Sequence, residues 1–353
     1  MNAIRRAVID SPEYPFAPVD APVKLDQNEA PEDFPAELKT EVLLRLQTTP
    51  WHRYPDLNAE TLCDAIAAYE DWTPTGVVVT TGSNVLIALL TQIAGIGKRV
   101  ITVKPSFALY ALDATLLDAK LTELPLRDDL SVDMASIISE IQQASDPESR
   151  GLVYLPQPQA PTGVMISMAD IEALLQASSG WLVVLDEAYC QFSDADCKSI
   201  ARTYPNVVLL RTFSKAWGLA GVRLGYALTS EAIARQVKKM APPFAVSVLQ
   251  TVAVQVALEN PAYMLERVRT IIRERERIYE ALLGHAGWQV YRSAANFILI
   301  RTPNAAHAYA QLLSRGVLVR RQDKLHGLAG CIRVTVGTSA ENDAFLLAAL
   351  AIK

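Results

Sequence analysis

The sequence predicts an α/β protein in which a large domain, built on a mostly parallel sheet covered by helices, is joined to a smaller α+β domain. Two patterns and the length carry this reading. From Val77 to Leu228, short apolar runs alternate with amphipathic stretches, as expected for strands covered on both faces by helices. After Pro261 a long charged helix is followed by two strand-like runs with one helix between them. At 353 residues the chain also exceeds the size at which a single core stops growing. The expected division is 1–45 for an N-terminal arm with part of the small domain, 46–258 for the large domain and 259–353 for the small C-terminal domain.

In chain order, residues 1–35 carry Pro12, Pro15, Pro18, Pro22, Pro31 and Pro35, which break regular structure and suit an extended arm. Within the arm, KLDQNEAP from Lys24 to Pro31 is a polar cluster behind a short strand. Glu37 to Gln47 places Leu38, Val42, Leu43 and Leu46 on one helical face, and Pro50 with the Tyr54-Pro55-Asp56 turn closes it off. A second helix spans Ala59 to Tyr69. The apolar runs are Val77 to Val79, Val100 to Val103, Leu152 to Leu155, Trp181 to Leu185, Val207 to Leu210 and Leu224 to Leu228. Helical stretches lie between them at Val85 to Ile93, Met134 to Gln143 and Met168 to Gln176. Pro261 to Leu283 reads as a helix buried along Leu265, Val268, Ile272 and Ile278, with its charges outward. Phe297 to Arg301 and Ile332 to Val336 are strands flanking a helix at Ala305 to Leu313.

Composition narrows the function. A net charge of -5 without long runs gives no electrostatic reason to expect nucleic acid or an anionic membrane as partner. Cys63, Cys190, Cys197 and Cys331 form no C-x-x-C pair, and His52, His285, His307 and His326 are scattered, so free thiols and no metal centre are expected. The N-terminus lacks an apolar run behind Arg5-Arg6, and nowhere do eighteen apolar residues run together, so a cytoplasmic protein is expected.

Ligands of parallel sheets bind beyond the carboxyl ends of the strands, which directs attention to the residues after each run. After Val207 to Leu210 comes RTFSKAWGLAGVRLGY, which sets Lys215 in a loop where an amine can condense with a carbonyl. Thr212, Ser214 and Arg223 around it suit a phosphate. Gly82, Ser83 and Asn84 open the helix after Val77 to Val79 and offer backbone N–H groups to an anion. Asp186 ends a buried strand and calls for a cation there; a protonated pyridine nitrogen is one. Tyr189, three residues on, can donate to a ring hydroxyl or phenolate, and Tyr110 can lie flat on an aromatic ring.

These motifs, in this order, resemble a known family. KLDQNEAP, RYPD, PSFALY, PQAPTG, LDEAYCQF, RTFSKAWGLAGVRLGY, GVLVRRQD and CIRVTVGTSAEN, spread over residues 24–342, are similar to the fold-type I aminotransferases that use pyridoxal 5′-phosphate, and among these to the histidinol-phosphate aminotransferase family. The resemblance implies a seven-stranded sheet, and amino transfer between L-histidinol phosphate and 2-oxoglutarate in histidine biosynthesis. It implies that Lys215 holds the cofactor covalently and moves the proton at the substrate α-carbon. Asp186 then pairs with the pyridine nitrogen, Tyr189 binds the ring oxygen O3′, and Tyr110 stacks on the ring. The phosphate falls to Gly82, Ser83, Asn84, Thr212, Ser214 and Arg223, with Tyr54 reaching in from the other subunit of a homodimer. Arg333 takes the substrate carboxylate, Arg320 the phosphate of histidinol phosphate, and the arm around Tyr14 and Asn28 closes the site.

One position departs from the family. The asparagine that binds O3′ just before P-T-G is Ala160 here, so either Gln159 substitutes or Tyr189 acts alone. Related reactions on the same scaffold, namely transamination of aromatic amino acids or decarboxylation of a phosphorylated amino acid, are the rival readings. A nicotinamide dehydrogenase is disfavoured because no G-x-G-x-x-G follows the first strand.

Overall fold

In the computed structural model, which describes residues 3–11, 18–194 and 196–352, the apolar runs in the middle of the chain become neighbouring strands of one sheet. In chain order the strands are β1 (Val23–Leu25), β2 (Val77–Thr80), β3 (Arg99–Lys104), β4 (Lys120–Pro125), β5 (Leu152–Pro156) and β6 (Leu182–Asp186). They continue with β7 (Val207–Thr212), β8 (Gly225–Thr229), β9 (Gln289–Val290), β10 (Phe297–Arg301), β11 (Val317–Arg321) and β12 (Cys331–Thr335). The large sheet has seven strands in the order β2-β8-β7-β6-β5-β3-β4, with β8 antiparallel to both neighbours and the remaining pairs parallel. Its central strands are buried throughout, which explains their near-continuous apolar character. β4 lies at the edge and is half exposed, so KLTELP alternates and does not read as an apolar run.

The second sheet has the order β1-β11-β12-β10-β9. The N-terminal arm supplies its parallel edge strand, with Val23 opposite Val317 and Leu25 opposite Val319. This pairing carries the polar segment after Leu25 out of the small sheet and toward the ends of the large one. The expected boundary at residue 45 falls inside the helix Ala36–Thr48, which packs against the helix Val248–Glu259.

The long helix Ala262–Leu282 differs from its expected facing. Leu265 is exposed, while Met264, Val268, Ile271 and Ile278 form the buried stripe. Arg267, Glu274 and Arg275 are buried as well, because neighbours supply polar partners on that side. Arg267 donates to the Asp33 carbonyl at 2.7 Å, Arg275 to the carbonyls of Phe192 and Ala295 at 3.1 and 3.0 Å, and Glu274 accepts from Arg277 and Asn342.

A buried ion cluster ties the end of β7 to its surroundings. Arg211 Nε donates to Glu187 at 2.8 Å, Nη1 to Glu70 at 2.6 Å and Nη2 to Asp196 at 2.9 Å. Lys198 and the Tyr226 hydroxyl complete the ring around Glu70. Every member is hydrogen-bonded, the condition under which buried charges can persist. Removing the central cation would leave the buried Glu187 without a cation and Glu70 with Lys198 alone. Arg211→Ala is therefore expected to lower unfolding free energy by about 3–5 kcal/mol, measured by denaturant titration.

Candidate active site

The carboxyl ends of β3, β5, β6 and β7 lie along the same edge of the sheet as the end of β2, from which the helix Ser83–Ala94 starts. At the start of that helix, Gly82 has φ +92°, and a Cβ there would lie 2.8 Å from an Arg223 guanidinium nitrogen. Only glycine lets the cation sit over the helix N-terminus, where the free N–H groups also point. Gly225 on β8 is equally constrained, since a Cβ would come within 2.3 Å of the Ser83 nitrogen. Arg223, itself at φ +58°, donates to Ser214 Oγ at 3.3 Å and to the Ala220 carbonyl at 3.1 Å, and its own carbonyl accepts from Gln250. Gly82, Ser83, Ser214 and Arg223 thus lie together in a cradle that could hold an anion, with Asn84 exposed beside it. The Thr212 hydroxyl is spent on the loop: it accepts from the Ser214 N–H at 3.1 Å and donates to the Leu224 carbonyl at 3.4 Å.

Asp186 ends β6, buried to 7% exposure. One carboxylate oxygen accepts from the Tyr110 hydroxyl at 2.6 Å and the other from the Ala188 N–H at 3.1 Å. Burial pushes its pKa up, against the two hydrogen bonds, which pull it down. Among the described residues it has no cationic partner within ion-pair range. The position suits a cationic N–H delivered by a ligand.

Tyr110 does not take up the expected stacking position. Its ring stacks on Tyr154 with centroids 4.7 Å apart and planes 5° apart, its hydroxyl holds Asp186, and it is buried. At 1% exposure its ring presents no open face to the cleft. The half-buried aromatic at the end of β3 is Phe107, which precedes the helix Ala108–Leu116 and meets Tyr110 edge-on at 5.7 Å. PSFALY contains both rings, and helical periodicity from Ala108 would have sent Tyr110 inward.

Gln159 does not replace the missing amide either. Fully buried, it donates to the Pro105 carbonyl at 2.6 Å and accepts from the Thr162 N–H and hydroxyl.

Lys215 donates from Nζ to the Gln27 carbonyl at 3.0 Å, and Nζ lies 5.9 Å from the Tyr189 ring centroid. Tyr189 accepts at its hydroxyl from Asn28 Nδ2 at 2.9 Å. Three successive arm carbonyls serve the site: Asp26 accepts from Arg333 at 2.9 Å, Gln27 from Lys215, and Asn28 from Asn296 at 3.1 Å. These backbone acceptors left no trace in residue identity, although KLDQNEAP marked the segment. Arg320 and Arg333 face each other across β11 and β12. The Arg320 charge also acts on the carboxylate of Asp26, whose backbone carbonyl accepts from Arg333. Tyr54 is 83% exposed and stacks on Phe244 at 4.9 Å. Tyr14 lies outside the described residues. The described residues include no cluster able to hold a metal ion.

Comparison with known proteins gives the family and the fold. Residues 21–350 match the model for aminotransferase class I and II, and the chain belongs to that family. The histidinol-phosphate aminotransferase of Deinococcus radiodurans is 47% identical over 100% of this chain and 97% of its own length. That of Thermococcus kodakarensis is 39% identical over 92% and 90%. Among solved structures, the histidinol-phosphate aminotransferase of Sinorhizobium meliloti, in complex with pyridoxal-5′-phosphate, superposes with a TM-score of 0.87 at 24% identity, covering 99% of this chain and 97% of that one. The L-threonine-O-3-phosphate decarboxylase of Porphyromonas gingivalis shares the fold at a TM-score of 0.78, 23% identity and coverage of 92% and 98%. The fold alone therefore does not separate transamination from decarboxylation.

Asp186 offers a pH test. Because its folded pKa is raised from 3.8, its contribution to stability is fully present below the unfolded value and lost as pH rises through the folded one. Asp186→Asn removes that loss. In the cofactor-free chain the melting temperature of the variant relative to the parent should rise as pH increases above the ordinary carboxylate range of about 4. Added pyridoxal phosphate should then stabilise the parent more than the variant.

Proposed function

We propose that the protein is a pyridoxal-phosphate-dependent aminotransferase exchanging the amino group between L-histidinol phosphate and 2-oxoglutarate, as part of histidine biosynthesis. The observation that carries the cofactor is Asp186, a buried carboxylate without a cation, on the same side of the sheet as the anion cradle at Gly82 and Arg223. A pyridine ring with a protonated nitrogen at one end and a phosphate at the other fits both. The near full-length identity of 47% to a histidinol-phosphate aminotransferase favours that substrate over the decarboxylase reading.

When bound, pyridoxal phosphate supplies an aldehyde that condenses with amines and a ring that takes up electrons from the substrate α-carbon. The chain's own residues do the rest. Lys215 gives up the Gln27 carbonyl and uses Nζ first as nucleophile and then to carry the α-proton. Asp186 keeps the ring nitrogen protonated, and Tyr110 fixes the orientation of that carboxylate. Ser83, Ser214, Arg223 and the helix N-terminus anchor the phosphate, Asn84 borders them, and Thr212 holds the Ser214 turn in place. Phe107 supplies the aromatic face that Tyr110 withholds. Arg333 and Arg320 take the carboxylate of glutamate and the phosphate of histidinol phosphate in turn.

The active assembly in this reading is a homodimer. Leu43, Trp51, Tyr54, Leu57, Phe244 and Leu249 are exposed, and Tyr54, Leu57 and Phe244 form one patch through the ring stack and the Phe244 N–H to Leu57 carbonyl bond. Burying that patch would bring Tyr54 to the partner's phosphate cradle. The arm and β9–β12 form the small domain and β2–β8 the large one. A cytoplasmic location is consistent with four free, buried cysteines.

Lys215→Ala is expected to keep the native circular dichroism spectrum, lose the visible band formed with pyridoxal phosphate and lose turnover by roughly 10³-fold or more. Retained transamination would remove Lys215 from the chemistry. The parent holoenzyme should be bleached by histidinol phosphate and by glutamate added separately. Carbon dioxide release, or bleaching by phenylalanine in preference to histidinol phosphate, would favour the rival reactions.

A further inference from the structure

We propose that Asn28 is a positioning residue for Tyr189, supplying in series the amide hydrogen bond that Ala160 cannot supply directly. The inference rests on the cofactor assignment above and concerns how this chain holds the ring oxygen next to the lysine nitrogen.

Asn28 is buried to 1% exposure, and its φ of +54° is a left-handed conformation that asparagine tolerates better than most residues. Its polar groups are held by the small sheet and the segment before it. The backbone N–H donates to Thr335 Oγ1 at 2.9 Å, the backbone carbonyl accepts from Asn296 Nδ2, and Oδ1 accepts from Thr335 Oγ1 at 3.2 Å. Thr335 accepts through its oxygen and has one proton to give, so Oδ1 must face it. The amide nitrogen is thereby aimed at Tyr189, where it donates to the hydroxyl at 2.9 Å.

A hydroxyl that accepts a hydrogen bond becomes a stronger donor, and the Tyr189 proton meets no acceptor among the described residues. Tyr189 is thus poised to donate to an oxyanion. The loop before Pro161 offers no second donor: Ala160 has no amide and the Gln159 amide is spent on Pro105 and Thr162. Two donors that would act side by side are here arranged end to end. Since Thr335 belongs to β12, the position of the small sheet reaches the Tyr189 hydroxyl through one side chain. The groups around Tyr189 that carry or exchange charge are Lys215, whose Nζ is 5.9 Å from its ring, Tyr110 from the helix Ala108–Leu116 with Asp186 at the end of β6, and Arg333, stacked over the Phe297 ring that meets Tyr189 edge-on.

The test is a spectrophotometric pH titration of the visible band of the holoenzyme, which reports the proton on the lysine nitrogen bound to the cofactor. A less stabilised ring oxyanion holds that proton more tightly, so losing the Asn28 donor moves the midpoint upward. Asn28→Gly keeps the left-handed backbone and deletes the amide. Asn28→Asp keeps the shape and turns the donor into an acceptor that draws the Tyr189 proton away. Both should raise the midpoint by about 0.5–1 pH unit, the equivalent of one hydrogen bond. In a Tyr189→Phe background Asn28→Gly should add nothing, and Ala160→Asn should bring the Asn28→Gly midpoint back toward that of the parent. An unchanged midpoint in Asn28→Asp, or an equal shift with and without Tyr189, overturns the inference. A parent protein that forms no visible band with pyridoxal phosphate overturns instead the cofactor assignment beneath it.

Discussion

The site is organised by a carboxylate placed where none is comfortable. Asp186 ends a central strand of the large sheet with little contact with water and without an opposing cation among the described residues. Isolated burial of that kind costs several kcal/mol. The chain offsets part of it with a tyrosine hydroxyl and a backbone N–H, which fix the carboxylate's direction while leaving its charge unmatched. A ligand that brings a positive N–H completes the site, and the same geometry keeps that nitrogen protonated.

The surrounding structure serves this one group. β5 and β7 flank β6, and the first residue past the aspartate, Glu187, enters the ion cluster around Arg211. Arg211 in turn lies four residues before Lys215 on the same strand and loop. The two ends of the chemistry, the acid and the amine, are therefore held in register by one buried salt-bridge network rather than by the loop alone. On the opposite side, three carbonyls of the arm segment that follows β1 accept from Lys215, Arg333 and Asn296, so the arm contacts the reactive lysine directly.

Much of this was legible in the sequence. Buried strands announce themselves by unbroken apolar runs, and β2, β3, β5, β6, β7 and β8 lie where those runs stand. Lys215, Asp186, Arg223 and Gly82 could be singled out because each is chemically unusual at a strand end. What stayed hidden depends on direction rather than identity. Tyr110 and Phe107 are three residues apart, and only the start of the helix decides which one faces the cleft. Gln159 could have filled the gap at Ala160 until its amide proved committed to Pro105 and Thr162. The charges of the helix Ala262–Leu282 read as solvated because nothing in the sequence reveals that Asp33, Phe192 and Ala295 present carbonyls to them. Asn28 looked like a closing residue of the arm, and its bond to Tyr189 depends on pairing across more than 150 positions.

In the proposed function one amine, Lys215, and one carboxylate, Asp186, grip the two ends of the same heterocycle. Reducing the pyridoxal-phosphate-loaded protein with borohydride and mapping the modified peptide by mass spectrometry tests it most directly. The account predicts a single stoichiometric adduct on Lys215, formed in the parent and strongly diminished in Asp186→Ala. An adduct on another lysine, or equal labelling with and without the carboxylate, would contradict it.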